Sequence, residues 1–194
     1  MRRRTLDIIA SAGGMILTIV LLVAGSLALW AYSFANSNVH DQLAAQKIFV
    51  PPAGSQALAS PEIGPYLNKY AGQQLTNGAQ AEAYANHFIA VHLKEIGGGQ
   101  TYAQLSAKSL ANPSDAKLAG QVATMFKGET LRGLLLNAYA FWKIGQIALV
   151  AAIVSFVLAG VMLVLTILGL VHLRRVRPEE EFLAPRNQGL QTTT

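Results

Sequence analysis

Two stretches of this sequence, residues 8–39 and 144–171, contain no Asp, Glu, Lys or Arg. Runs of that length exceed the roughly 20 apolar residues a helix needs to cross a bilayer. In hydrocarbon a single segment can satisfy its own backbone groups only as a helix. Each run therefore predicts one membrane-spanning helix, over residues 8–34 and 141–172. Composition agrees, with 52% hydrophobic residues, 13% charged residues and a mean hydropathy of +0.35. Between the spans, residues 35–140 have the size of one small domain.

Charge and aromatics give the expected orientation independently. Arg2, Arg3 and Arg4 precede the first run, and Arg174, Arg175 and Arg177 follow the second. Short Arg-rich flanks belong on the cytoplasmic side. Trp30 and Tyr32, with Phe34, end the first span, and Trp142, with Tyr139 and Phe141, begins the second. These aromatics make a belt at a single interface. Both signals predict cytoplasmic termini, namely an N-terminal flank of residues 1–7 and a C-terminal tail of residues 173–194 too polar to fold, with residues 35–140 extracytoplasmic. A cleavable signal peptide is the alternative for the N-terminus, but signal h-regions run to about 7–15 residues and this apolar stretch is longer.

The excess positive charge, with a pI near 9.6, comes from the two flanks. Six arginines there suit an anionic lipid leaflet, at about 1 kcal/mol per charge near the surface. The central segment carries seven basic and six acidic residues and has no basic stripe interleaved with aromatics, which excludes nucleic acid as an expected partner. Cysteine is absent from the chain. That removes thiol nucleophiles, Cys-based zinc sites and disulfides from consideration.

The central segment reads as helical. The first helix is expected to run on through Gln46, until Pro51, Pro52, Gly54, Pro61 and Gly64 break it. A short helix over 65–75 follows, then one over 79–96 stopped by Gly97-Gly98-Gly99. Thr101 and Gln104 have capping-box spacing, and Asn112-Pro113 closes that helix. Ser114-Asp115 starts another. From about Glu129 a single helix is expected to enter the second span. The fold class is therefore an all-α membrane protein, two antiparallel transmembrane helices flanking a small helical extracytoplasmic domain.

One stretch gathers metal-ligand chemistry: HFIAVHLKE, residues 87–95. At about 100° per residue, Ala81, Tyr84, Ala85, Phe88, His92 and Ile96 share one apolar face, with His87 roughly 140° from His92. Zinc-binding helices place two histidines at i and i+4 on one face, so His87 and His92 cannot chelate one ion together. His92 and Glu95 can touch, which makes them weak metal candidates needing further ligands from elsewhere. The competing reading is a buried histidine bonded to Glu95 or to a backbone carbonyl. No nucleophile elbow, H-E-x-x-H or phosphate-loop motif is present, so no catalytic residue and no cofactor is expected.

Small residues supply the other pattern. Ala10, Gly14 and Thr18 form a row at four-residue spacing that Ala24 and Ala28 extend, and Ala148, Ala152, Ser155 and Ala159, with Ala151, form a comparable face. In lipid such faces let helix backbones approach closely. They predict pairing of the two spans, or contact with other membrane proteins or further copies of the chain in a homo-oligomer.

The stretch from PEIGPYLNKYAGQQLTNGAQAEAYANHFIAVHLKEIGGGQTYAQLSAKSLANPSDAKLAG to FKGETLRGLLLNAYAFWKIGQIAL resembles a family of small actinobacterial two-span membrane proteins of unassigned function, often labelled aromatic ring-opening dioxygenase. The resemblance implies an actinobacterial source and a membrane address. Dioxygenase chemistry needs an iron held by histidines and a carboxylate, of which this chain offers the His92/Glu95 pair. The expected function is a non-catalytic accessory or scaffold subunit whose outer domain docks on a larger cell-envelope assembly. Binding or sensing of a lipid or small ligand is the alternative, ahead of metal-dependent catalysis.

Overall fold

The computed structural model describes residues 3–175. Every regular element among them is helical, apart from an isolated antiparallel bridge between Phe49 and Gln74. Two helices dominate, α1 (Arg3–Gln46) and α6 (Ala116–Arg175), and both are long and apolar enough to cross a membrane. By contacts the chain divides into two units, one made by residues up to Leu29 together with those from Leu149 onward, the other by Trp30–Ala148. Arg2, Arg177 and the proposed tail beyond Arg175 lie outside the described residues, as do the side chains of Arg3 and Arg4.

The ends of the elements follow local chemistry. α1 stops where Lys47 takes a left-handed conformation (φ 53) and its N–H donates to the Ala44 carbonyl. The Gln74 side chain donates to that same carbonyl at 2.6 Å, satisfying a helix end that lacks intrahelical partners. The proline-rich crossing then pairs with residues 72–75: Val50 N–H donates to Gln73 O, Leu75 N–H to Ile48 O and Gly72 N–H to Val50 O. This pairing explains one departure from expectation. The helix expected over 65–75 is only α2 (Gly64–Leu67) plus a 3-10 turn (Asn68–Tyr70), because Gly72 turns at φ 72 and the chain from there is drawn into the bridge.

Asn77 caps the next helix, its side chain accepting from Gln80 N–H at 3.0 Å. That helix is continuous to Ile96 but has three parts: α3 (Gly78–Ala83), a π segment (Tyr84–Ile89) and α4 (Ala90–Ile96). Gly98 and Gly99, at φ 57 and 80, end it as the glycine run predicts. α5 (Tyr102–Ala111) carries both bonds of the Thr101/Gln104 capping box and stops at Asn112 before Pro113. Asp115 then accepts from Leu118 N–H at 2.9 Å. From there α6 runs unbroken, so the two helices expected after residue 114 are one.

In the unit Trp30–Ala148 the core is built from Val39, Leu43, Val50, Leu58, Ile63, Leu67, Leu75, Ile89, Leu93, Leu105, Met125 and Leu135. Leu67 and Leu75 are fully buried, each stabilising by roughly 1.5–3 kcal/mol relative to exposure.

Candidate functional site

The helix holding HFIAVHLKE lies antiparallel against α6. A Cβ on Gly78 would sit 2.5 Å from Trp142, and one on Gly128 would collide with Leu93, so glycines at both ends permit close approach. Ala81, Ala85, Ile89 and Leu93 form a buried row along it at four-residue spacing, and Gly78, Gln80 and Ala83 are also buried in its first turns. In a uniform α-helix that spacing drifts about 40° per step. The π segment, with its wider i→i+5 turn, removes part of the drift and keeps the stripe on α6. The expected face is shifted accordingly: Tyr84, Phe88 and His92 flank the stripe half-buried, and Ile96 is exposed.

His92 Nδ1 lies 2.7 Å from the Phe88 carbonyl and donates to it. Its ring continues a ladder from Tyr84 through Phe88, with centroid separations of 4.7 and 4.4 Å. Burial raises the Tyr84 phenol above its usual range. Glu95 is exposed, and His92 has the backbone partner of the two that the sequence left open. His87 turns elsewhere and stacks on Tyr66 at 3.4 Å. Among the described residues no three His, Asp or Glu side chains converge as metal ligands. The polar contacts nearby are structural in geometry: Lys94 pairs with Glu62 at 3.5 Å, and Arg132 reaches Glu129 at 3.4 Å and Asn86 at 3.3 Å.

In the other unit the two long helices meet along small residues. Ser11, Gly14, Thr18, Leu21, Gly25 and Ala28 on α1 face Ala152, Ser155, Ala159, Met162, Thr166 and Gly169 on α6, all buried or half-buried. A Cβ on Gly14 would lie 2.5 Å from Thr166 Oγ1, one on Gly25 3.0 Å from the Phe156 ring, and one on Gly169 2.9 Å from Ser11 Oγ. As the α1 number rises the α6 number falls, so the helices run antiparallel. Steps of three and four residues alternate, giving the 3.5-residue period of a coiled-coil seam. Of the small residues singled out in the sequence, Gly14, Thr18, Ala152 and Ala159 are buried, Ala28, Ala148 and Ser155 half-buried, and Ala10, Ala24 and Ala151 exposed. A row at strict four-residue spacing winds off the seam, and Gly25 holds the place that Ala24 does not.

No family model, curated protein or solved structure matches this chain. Function is therefore read from geometry.

Of the residues expected at the membrane interface, Trp30 is exposed, Tyr32 and Trp142 are half-buried, and Arg174 and Arg175 are exposed in the last turn of α6. Trp30 stacks on Phe34, which meets Phe141 edge-on at 6.3 Å.

Two clefts in the unit Trp30–Ala148 have an apolar floor. One, of about 340 Å³, runs beside the Tyr84, Phe88 and His92 ladder toward Lys127 and Leu131. The other, of about 360 Å³, lies between the outer part of α1 and α6, lined by Asn38, Gln42, Gln46 and Asn137 around Val39, Leu43, Leu131, Leu134 and Phe141. Sequence reading missed this second cleft. Its signal was a carboxamide at every fourth position of α1, residues 38, 42 and 46, facing a Leu-rich stretch of α6.

Proposed function

We propose that the chain is an integral membrane protein that crosses the bilayer at residues 8–34 and 141–172. In this reading both termini are cytoplasmic and residues 35–140 form an extracytoplasmic helical domain. Its role is that of a non-catalytic accessory or scaffold subunit, docking on a larger cell-envelope assembly. The observation that carries the reading is the inverted burial of the long-helix pair: hydroxyls and glycines lie inside, while Ile16, Leu27, Val150 and Val157 are about 60% exposed. Water disfavours that arrangement and lipid favours it.

The test is purification of the tagged chain from its native membrane in mild detergent, with identification of the proteins that accompany it. A defined set of membrane subunits in fixed proportion is expected. A chain that elutes alone overturns the accessory role. A second reading, binding of a lipid or small apolar ligand by the domain, is favoured by the cleft between α1 and α6. The His92/Glu95 pair supports neither reading as a metal centre.

A further inference from the structure

We draw no further inference here: the strongest candidate, the polar hollow between α4, the turn at Gly99–Thr101 and α6 that Lys94, Gln100, Glu129 and Arg132 line, is open to solvent and has its charged groups paired, Lys94 with Glu62 and Arg132 with Glu129, so nothing in the structure shows what occupies it.

Discussion

In the long-helix pair, the buried residues include Ser11, Gly14, Thr18, Gly25, Ala152, Ala159 and Thr166, while most Ile, Leu and Val side chains are exposed; in Trp30–Ala148 the buried residues include Val50, Leu58, Leu67, Leu75, Met125 and Leu135. On the proposed membrane-spanning reading, the two units solve the same packing problem for different solvents. Where water surrounds the protein, burial of large apolar surface supplies the driving force. Where lipid surrounds it, apolar surface gains nothing by leaving the solvent, and close backbone approach with interhelical polar contacts holds the helices together. One chain thus carries two cores of opposite composition.

The contrast can be broken most sharply in the large-residue core. Leu67→Ala removes a fully buried side chain and is expected to cost about 2–5 kcal/mol. Leu134→Ala, on an exposed surface, is expected to stay within about 0.5 kcal/mol. Thermal unfolding in detergent, followed by circular dichroism, measures both. Equal losses would mean that the domain is not packed as described.

Gly78→Ala comes next. The new methyl meets the Cβ and Cγ of Trp142, a rigid side chain near its root, so overpacking is expected to cost about 1–3 kcal/mol. Gly13→Ala, with open space around its site, is the control and gains helix propensity instead.

A smaller effect is expected in the seam. Thr18 is 3% exposed and its hydroxyl donates to the Gly14 carbonyl within its own helix. Thr18→Ala is therefore expected to cost about 0.6 kcal/mol or less, the scale of polar contacts in membrane helices. A loss comparable to that of Leu67→Ala would mean that the seam depends on the packing of Thr18 and not on close backbone approach alone.

The smallest effect concerns pH. Burial raises the Tyr84 phenol in the folded chain, so above its ordinary value near 10 the unfolded chain releases a proton that the folded chain keeps. The stabilisation from the buried neutral phenol is full below that pH and falls as pH rises through the raised value. Tyr84→Phe is expected to flatten this alkaline loss, measured by unfolding at pH 9 and pH 11. An unchanged slope would mean that the phenol is solvated.

What the sequence revealed differs between the units in the same physical terms. The long helices, the Gly97–Gly99 stop, the Thr101/Gln104 box and the Asn112-Pro113 end were legible because each depends on neighbours in sequence. The π segment was not, since it arises from the fit of Ala81, Ala85, Ile89 and Leu93 against α6. The pairing of 48–50 with 72–75 was hidden for a similar reason, as it depends on a contact across more than twenty residues. In the long helices the right residue types were visible, but the period was four where the seam uses three and four in alternation, which set Ala10 and Ala24 outside it. For His92 the residue alone left two partners open, and the Phe88 carbonyl four residues back is the one it meets.

The absence of native cysteine makes the central claim directly measurable. Single cysteines at Leu110, which is 81% exposed, and at Thr5, exposed near the start of α1, are treated in intact cells with a membrane-impermeant maleimide, before and after permeabilisation. Labelling of Leu110→Cys in intact cells, with Thr5→Cys reacting only after permeabilisation, is the expected result. Labelling of both from the same side would contradict a chain that crosses the bilayer between these positions.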